Sequence, residues 1–188
     1  ISLKLTVCAV LAIFLLTGCN SLQQEVTQAL ELRRSVLEAQ GCSFDATITA
    51  EYDDVFYTFQ MSCRSDQTGM LSFTVTDPET IAGISGTISR ERSALSFDDK
   101  ILAFPLLANG ELTPVSAPWI FLSALKGGYL RGYSESEDSF SLYIDDSFEE
   151  DPLHLEIELD EETMPVSAQI IWQDRRILSL QIKNFTIL

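Results

Sequence analysis

Apolar residues recur along this chain with two different periods. Over residues 22–40, Leu22, Val26, Ala29, Leu30, Arg33 and Leu37 follow i, i+3, i+4 spacing, while Glu25, Gln28, Glu31, Arg34 and Glu38 fall mostly on the other side. The spacing predicts an amphipathic helix that lays one stripe on a core, with Gly41 as its stop. A helix lying on a membrane is the alternative, but its polar face would be rich in Lys and Arg, and this one is not. After Gly41 the period becomes two. In residues 44–52 the even positions are apolar; Asp53-Asp54 supplies a turn; then Val55, Tyr57, Phe59, Met61 and Cys63 occupy odd positions. Antiparallel pairing across that turn matches even with odd, so both apolar rows share one face. Further candidate strands are 70–76, 84–90, 93–98, 100–106, 111–115, 129–135, 139–145, 153–160, 165–173 and 176–187, most of them separated by turn residues such as Asp66-Gln67-Thr68-Gly69, Asn109-Gly110 and Gln173-Asp174-Arg175. About a dozen consecutive strands predict a mainly β, α+β fold built on one large antiparallel sheet that curls.

Two short helices are expected to interrupt the strands. Residues 77–83 carry Asp77 as a cap, Pro78 at the first helical position and Gly83 as the end. Residues 116–128 open with Ser116 as cap and Pro118 in the first turn, and Trp119, Ile120, Phe121, Leu122 and Leu125 spread over the whole circumference. A helix of that kind is buried on all sides or covers an apolar cavity. Gly127-Gly128 directly after it would let the segment move as a lid. No internal repeat, low-complexity segment or domain boundary divides residues 22–188, so one domain is expected.

The first residues read as an address. Lys4 precedes an uncharged apolar run from Leu5 to Leu16, and Leu16-Thr17-Gly18-Cys19 follows. A run of about 12 residues suits a signal-peptide h-region and is too short to span a bilayer easily. Small residues before a cysteine look like a bacterial lipobox, so residues 1–18 are expected to be a lipoprotein signal peptide and Cys19 to carry the acyl chains. Residues 19–21 then leave almost no tether, since even four extended residues reach only about 14 Å, which holds the domain close to the membrane surface. The expected location is the extracytoplasmic face of a cell membrane.

Charge narrows the partners. The chain carries 12 Lys+Arg against 28 Asp+Glu, one His and a formal net charge of −16. Nucleic-acid binding needs clustered cations and is excluded. An acidic body is repelled by anionic head groups, so acyl chains must supply the membrane attachment. Hydrophobic residues make up 46%, enough to bury a core. His154 alternates outward with Glu156 and Glu158, away from any cleft, and reads as a surface residue. The acidic runs Asp145-Asp146, Glu149-Glu150-Asp151 and Asp160-Glu161-Glu162 read as solvated turns, without the spaced ligands of a calcium loop. There is no phosphate loop, nucleophile elbow or zinc-peptidase motif. Neither a metal nor a cofactor is implied, and an enzyme is not expected.

Two cysteines remain besides Cys8 and Cys19. Cys42 and Cys63 lie on the apolar face at the open end of one expected hairpin, opposite or diagonal depending on register. A disulfide between them is expected in an exported protein; it would close a loop of about 22 residues and contribute roughly 3 kcal/mol. Two free buried thiols are the alternative.

The most distinctive feature is apolar. Phe104 and Leu106 lead toward Trp119 and Leu122, and Trp172 sits on the inward row of Val166, Ala168 and Ile170. Either a plain core or a lined cavity fits that distribution. The order of elements resembles the bacterial lipoprotein-localisation factors, LolA and LolB, and their lipoprotein relatives. The resemblance is carried by the leading helix, the long hairpin, Phe73-Thr74-Val75-Thr76-Asp77-Pro78 with Ile81-Ala82-Gly83-Ile84, and the closing pair 165–170 and 181–185. It covers residues 22–188 and implies a half-barrel sheet over short helices, enclosing an apolar cavity for acyl chains. The carrier's lid arginine has no single counterpart here, and Arg64, Arg90 and Arg131 are left unassigned. An acylated Cys19 favours a fixed receptor over a diffusing carrier. The reading is a lipid-anchored protein that binds an acyl chain or other amphiphile, with Phe104, Leu106, Trp119, Leu122, Leu125 and Trp172 as lining. The alternative is a non-enzymatic protein-interaction module on the same fold, regulating or scaffolding an envelope enzyme.

Overall fold

In the computed structural model, which describes residues 20–52, 55–90, 93–96, 112–136 and 139–188, the period-two segments form ten strands of one antiparallel sheet. They are β1 (Cys42–Tyr52), β2 (Val55–Ser65), β3 (Leu71–Asp77), β4 (Ser85–Ile88), β5 (Ser93–Ser96), β6 (Tyr129–Glu135), β7 (Phe140–Asp145), β8 (His154–Leu159), β9 (Pro165–Trp172) and β10 (Arg175–Ile187). Their order is β5-β4-β3-β2-β1-β10-β9-β8-β7-β6. Sequential strands are neighbours throughout, except that the chain returns from one edge to the other between β5 and β6. That return lets β10 lie beside β1 and joins the first half of the chain to the second.

Alternation selects the inner face. Phe44, Ala46, Ile48 and Ala50 of β1 are buried, as are Phe59, Met61 and Cys63 of β2, Leu142 and Ile144 of β7, Leu155 and Ile157 of β8, and Ala168 and Ile170 of β9. The polar positions between them face outward, where Asp45 accepts hydrogen bonds from Ser62 (2.7 Å) and Asn184 (2.8 Å). Those bonds hold the Asp45 carboxyl below its ordinary range. The pattern overshoots at one place: Val55 and Tyr57, on the apolar row of β2, are exposed beside Phe56. The inner face there runs past the helices that cover the rest.

Helix α1 (Asn20–Glu38) and helix α2 (Ala117–Gly127) fill the concave side. The α1 stripe is rotated from its expected position. Ala29, Leu32 and Val36 are buried and Arg33 is half-buried, while Leu30 and Leu37 lie in solvent. Residues 77–83 are not a helix. Ile81 and Ala82 both donate to the Pro78 carbonyl, and Gly83 (φ 91°) returns the chain so that its N–H meets the Val75 carbonyl. The β3–β4 ladder thus claims backbone groups that a longer helix would need. Of the expected strand 111–115, the described part is not a strand either: Pro114–Ser116 form a 3₁₀ turn leading into α2. Proline fixes φ and removes the donor a strand needs. The expected strand 100–106 lies outside the described residues.

The expected Cys42–Cys63 bridge is absent; both thiols are free and buried. Register is the reason. Cys63 stands opposite Phe44, and the Cys42 amide meets the Ser65 hydroxyl at 2.9 Å. The cysteines are therefore diagonal neighbours, typically about 7–8 Å apart, beyond the usual reach of a disulfide.

Candidate functional site

Helix α2 forms the centre of the site. It grows out of the 3₁₀ turn, so Ser116 is already helical and does not cap it; the Ser116 hydroxyl donates instead to the Thr113 carbonyl at 2.6 Å. Ala117, Pro118, Ile120, Phe121, Leu122, Ala124 and Leu125 are buried. Trp119, Ser123 and Lys126 are half-buried. They stand at i, i+4 and i+7, one line along the helix. The Trp119 indole N–H donates to the Gly69 carbonyl at 3.2 Å, which ties α2 to the β2–β3 turn.

The other end of α2 is clamped from α1. Arg33 donates through Nε to the Leu125 carbonyl (2.9 Å) and through Nη2 to the Gly128 carbonyl (2.7 Å). A cation at a helix C-terminus is favoured by the exposed carbonyls and the helix dipole. Burial pushes the Arg33 pKa below its ordinary value, yet a guanidinium stays charged in proteins. Gly128 stands where the backbone is closely approached. Any Cβ there would collide with Ile144 Cγ2, the Ala124 carbonyl and the Asp145 carbonyl. The glycine allows β7 to approach the end of the helix, whereas Gly127 beside it has open space around it.

Two clefts open beside the half-buried line of α2. One, of about 390 Å³, has an apolar floor of Ile88, Leu112, Trp119, Ile120, Leu153 and Trp172 and a rim carrying Arg90, Asp146, Glu149 and Asp151. The other, of about 510 Å³, runs over Trp119, Ile120, Ala124 and Tyr129 and carries Lys126, Thr68 and Ser123. Arg90, Trp119, Ile120, Asp146 and Ser147 belong to both, so the clefts meet over Trp119. Ile88 ends the second strand of the sheet order and Asp146 follows the ninth. A shared cleft requires those distant strands to curl toward one another, which is the half-barrel.

The expected lining residues divide. Trp119 and Trp172 line the clefts, whereas Leu122 and Leu125 are buried in the core and line neither. Their side of α2 meets the sheet, and Phe121 beside them packs edge-on against Phe44 at 5.7 Å. The half-barrel interior is thus largely filled by α2. Phe104, Leu106 and Cys19 lie outside the described residues. His154 points outward as expected, but it is half-buried and has partners: Asp145 Oδ1 at 2.6 Å and Arg131 at 3.2 Å from Nδ1. Sequence reasoning missed Arg33, Arg90, Lys126 and Asp146. A signal for Lys126 was present, since Ser123 and Lys126 are the polar residues of an otherwise apolar helix and share a line with Trp119. Among the described residues no group of His, Cys, Asp and Glu could hold a metal ion, and no helix is long and apolar enough to cross a membrane.

No protein-family model matches the chain, and no curated protein matches it. Solved structures do. The chain is similar to an uncharacterised conserved protein from Thermus thermophilus, at 10% identity and a TM-score of 0.43 over 90% of this chain and 88% of that one. It is similar to the LolA superfamily protein NE2245 from Nitrosomonas europaea, at 8% identity and a TM-score of 0.37 over 85% and 93%. It is also similar to the Mycobacterium tuberculosis lipoprotein LppX, at 11% identity and a TM-score of 0.40 over 89% and 96%. Likeness at this level carries no site or activity from those proteins to this one.

Proposed function

We propose that this chain is a non-enzymatic extracytoplasmic binding protein, anchored to a membrane through acylated Cys19, that holds an acyl chain or similar amphiphile in the groove over Trp119. The observation that supports this is the groove itself. Two half-buried tryptophans and Leu153 open onto it, above a floor that includes the buried Ile88, Leu112 and Ile120. Its volume lies in the range of small-molecule sites, and its polar rim suits an amphiphile better than a wholly apolar guest. The test is native mass spectrometry of the full chain from its own membranes. Retained amphiphile is expected in the wild type and in Phe59→Ala, and its loss in Trp119→Ala, which lowers the unfolding midpoint less than Phe59→Ala does. A Trp119→Ala protein that keeps its ligand and loses core-like stability would sink the reading. The second reading, a protein-interaction module, is favoured by one observation: Val55, Phe56 and Tyr57 are exposed together on β2, away from the groove.

A further inference from the structure

The groove is apolar along its floor and electrically divided along its rim. At one end Asp146, Glu149 and Asp151 face a single cation, Arg90. At the other, Lys126 joins Arg90 against Asp146 alone. Two cations in one groove stand out in a chain with 12 Lys+Arg and 28 Asp+Glu. Among the described residues neither Arg90 nor Lys126 forms an ion pair. Lys126 stands near the helix carbonyls, but Arg33 already binds those of Leu125 and Gly128, so the ammonium is left to the groove. Asp146 is held in place: its Oδ1 accepts the Leu153 amide at 2.8 Å, and its own amide donates to the Leu153 carbonyl at 3.0 Å. Hydroxyls of Thr68 and Ser123 stand on the Lys126 side.

From this division we infer that the ligand is a zwitterionic phospholipid with a primary ammonium, of the ethanolamine class. The inference rests on the amphiphile reading and specifies its head group. The phosphate lies at Lys126 and Arg90, where Ser123 supplies a neutral donor; the Thr68 hydroxyl is already committed to Asp66 at 2.7 Å. The ammonium lies at the Asp146, Glu149 and Asp151 end. An acyl chain runs over Trp119, Ile120 and Trp172. An anionic head group without the ammonium leaves the acidic end facing its hydroxyls. A neutral sugar head leaves Lys126 unpaired. Each lost charge-assisted hydrogen bond corresponds to about tenfold in affinity.

The experiment uses the full chain carrying Cys19→Ser and kept free of detergent, since an alkyl-chain detergent would itself compete for the groove. Dihexanoyl-phosphatidylethanolamine and dihexanoyl-phosphatidylglycerol, both below their micelle-forming concentrations, are added as probes. Fluorescence reports binding, because the chain has two tryptophans and both line the groove. The ethanolamine lipid is expected to bind about tenfold more tightly than the glycerol lipid. Asp146→Asn combined with Asp151→Asn should erase that preference, and Lys126→Gln should weaken both phospholipids together. The unfolding midpoint of each variant reports its fold. Equal affinity for both lipids in the wild type overturns the head-group inference and leaves amphiphile binding standing. Binding of neither overturns both.

Discussion

Helix α1 buries one stripe and leaves the rest in water; α2 buries nearly everything and leaves one stripe open. Among the described side chains of α1, Ala29, Leu32 and Val36 are buried, and the open side includes Leu30 and Leu37. In α2 the open stripe is Trp119, Ser123 and Lys126, and it faces a groove rather than bulk solvent. Solvent is the default surroundings for the outer side of a helix packed on a sheet, so exposure on α1 carries little information. On a helix surrounded by protein, the part left uncovered is the informative one. The helices differ in attachment too. Helix α1 touches the rest of the fold mainly through α2, and Arg33 is their polar link.

The contrast breaks most readily at Phe121. This ring is fully buried in α2, edge-on to Phe44 and Phe185 at 5.7 and 6.3 Å. Phe121→Ala is expected to cost about 3–5 kcal/mol in urea unfolding. The loss for Trp119→Ala should be less than half of that, because the indole is half-buried and gives up one hydrogen bond. Equal losses would mean that α2 has no open stripe.

A smaller effect is expected between the helices. Arg33→Met keeps much of the side chain's length but strands two carbonyls, and the cost should be about 1–3 kcal/mol in the same measurement. Arg34, one residue on, pairs with Glu38 in solvent at 2.8 Å. Arg34→Met should leave the midpoint unchanged, since exposed i, i+4 pairs contribute little. If the two variants behave alike, Arg33 is not the link.

The smallest effect lies outside both helices. A reductant should not move the unfolding midpoint, because Cys42 and Cys63 are not bonded; a bridge would contribute roughly 3 kcal/mol. Burial pushes both thiols up, so alkylation of the native protein should be slow at each and rapid after unfolding, as read by mass. A shift in midpoint with reductant would restore the bridge.

Much of the sheet was legible in the alternation. The inner rows of β1, β8 and β9 and the polar rows between them are those the sequence implies, because burial of one face of a pleated strand imposes a period of two. The helix at 116–128 was legible as well, from its apolar content and Pro118. The short segments were not. Residues 77–83 carry every local mark of a helix, yet the sheet ladder takes their backbone groups. At the site, Trp119 and Trp172 were within reach of pattern reasoning, while Leu122 and Leu125 were assigned to the cavity because hydropathy does not distinguish a core from a lining.

What the chain determined by itself was local: which faces are apolar, where turns fall, and that the body is strongly acidic. Those follow from residue type and short-range geometry, and they hold whatever the surroundings. The pairing of β10 with β1, the approach of β7 to α2 through Gly128, and the meeting of Arg90, Lys126 and Asp146 around Trp119 were decided only in three dimensions. Those three side chains come from the end of β4, the end of α2 and the turn after β7, and nothing in their sequence spacing relates them. Curling of the sheet brings its wings together, and that curl is the summed twist of ten strands around a filled centre.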